Sequence, residues 1–304
     1  LNLEPKEIKM KYTNKFNLPL SLVDVINNKT YDLSEADPNR IGVTTLINPP
    51  ITRLLTVRHW KELEEDVSDH LWRITGNAYH YILAKTSSKD RLIEEKLLEV
   101  VDGITIVGKL DLYEQKHKSI EDYKVTSVWA VKLGSKEEWE KQLNCYAWLL
   151  RKSKLEVKEA YINAILRDWR KKESKKYNDY PPIPFSRIKV KLWSFDEQQK
   201  FVEDRVALYK SVMNLPDDEL PICSPDERWA KKDVWAVYKH TNKTAMRLFD
   251  TEDAAIDFTY NVSCKTRIEE RKGVDMKCQD YCLINKFCKY WKENYERKTS
   301  KKTS

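Results

Sequence analysis

Residues 97–124 hold three strand-like runs joined by two short turns, and no other stretch constrains the fold as tightly. Leu97–Val101 is an apolar strand run, and Asp102-Gly103 is a strong hairpin-turn signal. Ile104–Tyr113 reads as a second strand, Glu114–Lys118 as a polar turn and Ser119–Lys124 as a third strand. A strand points residues i and i+2 to the same face, so Asp122 and Lys124 project together, beside Asp111 if their strands pair. Two carboxylates converging on one point make a poor structural device, because like charges repel. They suit a divalent cation. An adjacent amine can orient a water or help deprotonate it, which is equipment for hydrolysing a phosphodiester. The plainer reading of Asp122 and Lys124 is a cross-strand ion pair on a solvated face.

The flanking patterns extend this picture. Residues 1–58 read as irregular, broken at Asn48-Pro49-Pro50. Trp60, Leu63, Val67, Leu71 and Ile74 recur at helical spacing up to Gly76, and Ala78–Ala84 continues as a second helical segment. Trp139, Leu143, Tyr146, Ala147 and Leu150 mark an amphipathic helix, and Val157–Leu166 a buried strand. Lys171–Pro184 is a polar loop. Ile188, Val190 and Leu192 alternate with lysines as a half-exposed strand, and Phe195–Leu215 is helical. After Pro221, Trp235–Tyr238 and Ala245–Phe249 form a hairpin around Thr241-Asn242-Lys243, and Thr251 caps a short helix over Glu252–Phe258. The order predicts an α/β fold with a mixed central sheet flanked by helices. Its parts are an N-terminal segment (1–58), a core (59–220), a cysteine-cluster region (221–291) and a basic tail (292–304).

Composition narrows the setting. With 304 residues and a 41 % hydrophobic fraction, the chain can bury a substantial core. No apolar run approaches the ~18 residues of a membrane span. Leu1–Lys6 lacks the layout of a secretory signal, so a cytoplasmic location is expected. The net charge of +7 is compatible with a polyanionic partner, although much of the excess sits in Lys171–Lys176 and Arg297–Lys302, runs that are often solvated. Six cysteines in a chain this size, with no export signal, favour metal binding over disulfides.

Four short motifs occur in order: Gly76-x-x-x-His80, Gly108-x-x-Asp111, Asp122-x-Lys124 and Gln142-x-x-x-Tyr146. Together they resemble the PD-(D/E)XK nuclease superfamily, in particular its RecB-like exonuclease branch, which includes CRISPR-associated exonucleases. The resemblance implies a restriction-endonuclease-like core. It implies that His80, Asp111, Asp122 and the carbonyl of Tyr123 hold Mg2+ or Mn2+, and that Lys124 positions the attacking water or stabilises phosphate charge. An imidazole biases such a site towards manganese. Gln142 and Tyr146, one helical turn apart, would hold the scissile phosphate or the nucleotide; core packing is the rival for Tyr146. Glu94 or Glu95 could supply an outer carboxylate, against a plain exposed strand start.

Cys278, Cys282 and Cys288 fall within eleven residues, a strong metal-site signal. Several RecB-like nucleases carry a four-cysteine iron–sulfur cluster with three ligands near the C-terminus and one far upstream. This chain departs from that pattern: the first gap is three residues, and no cysteine precedes Cys145. Cys223 is the first choice for the fourth ligand and Cys264 the second, while Cys145 reads as buried structure. The resemblance favours [4Fe-4S], with Zn2+ as the alternative; either would staple the C-terminal region to the core.

Arg167-Asp168-Trp169-Arg170 and Tyr177–Tyr180, with Trp193, are candidates to line a single-strand channel, core packing being the default for the two tryptophans. The 171–184 loop is a lid or a plain connection. The resulting expectation is a metal-dependent DNA exonuclease acting on single-stranded or duplex ends, in recombination, repair or phage DNA processing, with recombination or CRISPR partner proteins and no membrane. The alternatives are a structure-specific endonuclease and a non-catalytic DNA-binding scaffold.

Overall fold

A computed structural model of the chain describes residues 11–27, 36–86, 88–132, 134 and 136–296. The readings placed on Leu1–Lys6 and Arg297–Lys302 lie outside them. The chain divides into two compact units, the break falling after Pro216.

The first unit contains, in chain order, β1 (Lys11–Thr13), α1 (Leu20–Asn27), β2 (Arg40–Gly42), α2 (Val43–Ile47), α3 (Pro50–Arg58), β3 (Glu64–Asp66) and α4 (Leu71–Leu83). Next come β4 (Arg91–Ile93), β5 (Lys96–Val101), β6 (Ile104–Lys109), β7 (Leu112–Glu114), β8 (Ser119–Thr126), α5 (Val128–Lys132) and α6 (Glu137–Lys152). The unit ends with β9 (Glu159–Leu166), α7 (Lys171–Lys176), β10 (Phe185–Val190) and α8 (Phe195–Val212). A five-stranded sheet runs β10-β9-β8-β7-β4, with β8 and β9 parallel and the other pairs antiparallel. A parallel pair requires a long crossover, which α5 and α6 supply. A second sheet, β2-β6-β5, pairs β2 parallel to β6.

Both sheets share one bent hairpin. At its tip, Asp102 and Gly103 take φ of 46° and 79°, the pair of positive angles that a two-residue type I′ turn needs. Partway down, the expected single strand Ile104–Tyr113 is interrupted at Leu110–Asp111, so β6 stays in the small sheet while β7 joins the large one. The opposite arm breaks at Glu94–Glu95, where Glu94 adopts φ 55°. Glu94 N–H donates to the Asp111 carbonyl (3.0 Å) and Leu110 N–H to the Glu95 carbonyl (3.0 Å), so the arms remain paired through the bend.

Helix α6 covers the sheet. Every residue from Leu143 to Leu150 is buried. Its one buried amide in that run, Asn144, is bonded throughout: Oδ1 accepts from Trp193 N–H and Gln198 Nε2, and Nδ2 donates to the Glu140 and Lys191 carbonyls. Gly108 permits this packing. A Cβ there would collide with Leu149 and lie 3.1 Å from the Tyr146 ring.

Two expectations need correction. The described part of residues 1–58 is not irregular: Val43, Leu46, Ile51, Leu54 and Leu55 are buried core on α2 and α3, and Arg205 of α8 donates to the Leu46 and Asn48 carbonyls. Nor is Trp60–Gly76 one helix. Trp60, Leu63 and Val67 are buried as their spacing implies, but on tight turns either side of the strand β3, whose Asp66 accepts from Thr13 Oγ1, Lys15 N–H and Ser68 N–H. Those bonds hold Asp66 well below the usual carboxylate range, the Lys15 amide contributing most. Side chain-to-backbone bonding of this kind competes with helix formation.

The second unit contains α9 (Pro225–Arg228), β11 (Val234–Lys239), β12 (Ala245–Phe249), α10 (Glu252–Tyr260), β13 (Thr266–Arg271), α11 (Met276–Asp280) and α12 (Lys289–Trp291). Its sheet is β12-β11-β13, wholly antiparallel, and Thr251 Oγ1 caps α10 by accepting from Ala254 N–H. Among the described residues, no helix is long and apolar enough to cross a membrane.

Gly108→Ala is expected to lower stability by about 1–3 kcal/mol, because the added methyl overpacks a contact between sheet and helix. Gly76→Ala, where a Cβ meets nothing within 4 Å, should instead gain up to about 1 kcal/mol from helix propensity. Urea denaturation of the two variants checks the pair; equal effects would refute the packing argument.

Candidate active site

The bend in the hairpin sets Glu94 and Asp111 opposite each other, and α4 brings His80 to them. His80 Nδ1 lies 3.1 Å from Glu94 Oε1 and 3.5 Å from Asp111 Oδ1. One donor atom from each of these three residues falls within 4.8 Å of the other two, close enough to share one cation. They open onto a cavity of about 550 Å³, lined also by Asn77, Tyr81 and Lys109. The Lys109 ammonium pairs with Glu94 Oε2.

Behind this trio, β8 carries the deeper pair. Asp122 is 2 % exposed. Lys124 Nζ is 2.8 Å from its Oδ2 and 3.1 Å from its Oδ1, but only the Oδ1 contact is aligned as a hydrogen bond. Oδ2 is therefore a buried carboxylate oxygen without an aligned donor. Lys124 also donates to Gln142 Oε1 (3.1 Å), and Gln142 Nε2 donates to Tyr146 Oη (3.2 Å). Tyr123 takes part through its N–H, which donates to Asp111 Oδ2 (2.8 Å) and ties the bend to β8.

The electrostatics expose the tension. Burial, then the charge of Asp122, pushes the Asp111 carboxyl up to about 7, against the Tyr123 N–H, His80 and Lys124, which pull it down. Burial also raises Asp122, with Lys124 opposing. Burial raises the Tyr146 phenol, and the neighbouring Asp122 and Asp111 charges add to it. A site of crowded carboxylates, one imidazole and a buried carboxylate oxygen without an aligned donor fits a divalent cation, which would relieve the repulsion.

All six sequence-singled residues (His80, Asp111, Asp122, Lys124, Gln142 and Tyr146) thus lie in one region, with two differences. Asp111 is at the bend rather than on a strand paired beside Asp122. The compact donor trio contains Glu94, between Glu94 and Glu95 the one that turns inward. Only a positive φ places it there, and that conformation leaves no mark in a Glu-Glu dipeptide.

The second unit gathers four thiols. Cys223, Cys278, Cys282 and Cys288 lie close enough that the last three each act on Cys223, whose thiol is pushed up to about 12 by burial first and then by Glu227 and these cysteines. Burial and its neighbours Cys282, Asp275 and Cys288 raise Cys278 to about 11. Asn285 knits the segment: its Nδ2 donates to the Cys278 carbonyl (3.0 Å), its N–H to the Cys282 carbonyl (3.3 Å), and its own carbonyl accepts from Cys288 N–H (2.9 Å). Arg228 donates to the Cys223 carbonyl and to Asp275 Oδ1, the latter at the start of α11. Burial and the neighbouring thiols raise Cys223 and Cys278, but among the described residues no three cysteine sulfurs lie within 4.8 Å of one another as the donors of the His80 trio do. Cys264 sits in the bend before β13, and Cys145 is buried inside α6.

No protein-family model matches the chain, and neither does any curated protein. Among solved structures, SSO0001 is similar at a TM-score of 0.40 and 19 % identity, over 57 % of this chain and 78 % of that one. A phage related exonuclease from Haemophilus somnus 129PT is similar at a TM-score of 0.30 and 15 % identity, over 46 % and 68 %. Both likenesses are partial, and the chemistry has to be read from this chain's own side chains.

In metal-free protein, the stability linked to Asp111 is fully present below its ordinary value of 3.8 and lost as pH rises through about 7, since the folded state binds the proton more tightly. The stability of Asp111→Asn relative to the parent, measured by urea denaturation in chelator, should therefore grow across that window by on the order of a few kcal/mol and then level off. A flat or falling difference contradicts the assignment.

Proposed function

We propose that this chain is a metal-dependent nuclease with a PD-(D/E)XK-type centre, hydrolysing DNA phosphodiesters. The observation that carries the reading is the contiguous chain His80–Glu94–Asp111, Asp122–Lys124–Gln142–Tyr146, with its outer end at a cavity of about 550 Å³. His80, Glu94, Asp111 and Asp122, with the Tyr123 carbonyl, are the residues that would hold the cation. When bound, Mg2+ or Mn2+ supplies electrostatic stabilisation of the charge that develops on the phosphate.

The protein's own groups do the rest. Asp122 and Gln142 fix the Lys124 ammonium from two sides, so it can orient the attacking water and stabilise negative charge without paying reorganisation at the moment of reaction. Tyr146, seated over Gly108, holds Gln142 in place. Tyr123 N–H keeps Asp111 turned inward.

Asp122→Asn and Lys124→Ala should each reduce manganese-dependent cleavage of linear DNA by at least ~100-fold while the circular dichroism spectrum stays native. Undiminished cleavage in both would falsify the reading. End-labelled linear and closed circular DNA compared side by side separate the modes: loss of only the linear form indicates an exonuclease, nicked circles an endonuclease, and neither a scaffold.

For the second unit, the reading is a metal bound by Cys223, Cys278, Cys282 and Cys288, with [4Fe-4S] ahead of zinc by resemblance. Anaerobically purified protein should contain iron and sulfide, and Cys223→Ser should lose them where Cys264→Ser does not. Stoichiometric zinc without iron overturns the cluster, and retention of metal in Cys223→Ser overturns the ligand.

A further inference from the structure

A second cavity, of about 570 Å³, lies between α5 and the 168–180 segment. Its size suits a small organic ligand. Its walls include Trp129, 67 % exposed, and Tyr177, 44 % exposed, two aromatic rings left largely in water. Each carries a cation on its face: Lys132 Nζ lies 5.4 Å from the Trp129 ring centre and Lys176 Nζ 4.8 Å from that of Tyr177. Tyr180 closes another side, its hydroxyl accepting from Arg170 N–H.

Three acidic residues, Asp168, Glu173 and Asp179, also line the cavity, and two of them are engaged. Lys132 pairs with Asp179, and Asp168 accepts from Val128 N–H (2.7 Å), which anchors the start of α5 to the loop after β9. Beyond the rim run Lys171, Lys172, Lys175 and Lys176. Exposed rings among cations make a stacking platform for unpaired bases on a polyanionic strand.

The location joins this platform to the centre described above. Lys124 and Val128 are four residues apart, a reach of at most ~14 Å of extended chain. Between them, Thr126 accepts from Arg167 N–H, and the Arg167 guanidinium stacks on Trp72 at 4.4 Å. Trp72 is 58 % exposed and belongs to α4, the helix that carries His80. A third aromatic–cation pair therefore flanks the same end of β8.

We propose that this cavity receives an unpaired base of single-stranded DNA, stacked between Trp129 and Tyr177, from a strand whose backbone crosses the Lys124 centre. The inference rests on the nuclease reading for the identity of the strand, and its test is independent of cleavage. Trp193, by contrast, takes no part: its Nε1 donates to Glu140 and its ring packs edge-on against Phe201. Trp169 is likewise engaged, donating to the Pro181 carbonyl.

The test measures binding in chelator, by fluorescence anisotropy, of an oligothymidylate and of an abasic strand with the same number of phosphates. The intact chain should prefer the strand with bases by roughly ten-fold or more. Trp129→Ala and Tyr177→Ala should each remove most of that preference and leave abasic binding alone, while Trp129→Phe retains it. Equal affinity of the intact chain for both strands, or a loss in the alanine variants that is the same for both, overturns the proposal. If the intact chain cleaves linear DNA but ignores bases, the cavity falls and the nuclease stands. If it prefers bases through Trp129 but never cleaves, the nuclease falls and the cavity stands.

Discussion

Two carboxylates, Glu94 and Asp111, are set opposite each other by a hairpin that changes sheets halfway along, in front of a third, Asp122 on β8, and most of the first unit can be understood as what makes that arrangement tolerable. Burying like charges is unfavourable, and Asp111 and Asp122 both register it as raised proton affinity. The chain compensates with two cations of its own and an imidazole. Lys124 serves the inner carboxylate, Lys109 the outer one, and His80 stands between Glu94 and Asp111. Remove the bend and these groups disperse along two ordinary strands.

The bend itself is a backbone problem solved locally. Glu94 accepts a left-handed conformation that is costly for a residue with a Cβ. Two backbone hydrogen bonds across the arms, Glu94 N–H to Asp111 and Leu110 N–H to Glu95, hold it there. The adjoining Gly108 lets α6 approach closely enough for Gln142, braced by Tyr146, to reach Lys124. Strain and close packing thus fall within a few residues of the carboxylates they position.

Much of the core is legible in the sequence, because periodicity and turn chemistry are local. Asp102-Gly103 reads as a hairpin and takes the two positive φ angles that a hairpin requires. The strand runs at 97–101 and 119–124 and the helix marked by Trp139–Leu150 fall where their patterns put them. The failures have a common cause in non-local competition. Trp60, Leu63 and Val67 keep a helical spacing while lying on turns, because Asp66 binds the backbone of a segment some fifty residues earlier. The break at Leu110–Asp111 is invisible in an apolar run, since it depends on which sheet each half joins. Trp193 and Trp129 look alike in sequence; only burial and the Glu140 partner separate a packing residue from an exposed ring.

The outer trio is already engaged with itself, and that shapes how it can exchange partners. Glu94 gives Oε1 to His80 and Oε2 to Lys109, so on the proposed reading a divalent ion would have to displace a lysine ammonium. The Lys109 side chain is 62 % exposed and can swing into water at little cost, because an exposed ion pair contributes only ~0–1 kcal/mol. Lys124, at 29 % exposure and held by Asp122 and Gln142, has no such freedom. One lysine is thus placed to be displaced and the other to stay. The difference follows from where β6 and β8 put them: Lys109 at the last, exposed residue before the bend, Lys124 on the strand face that α6 covers. A centre built this way offsets part of its carboxylate charge with one lysine that can move and one that is held.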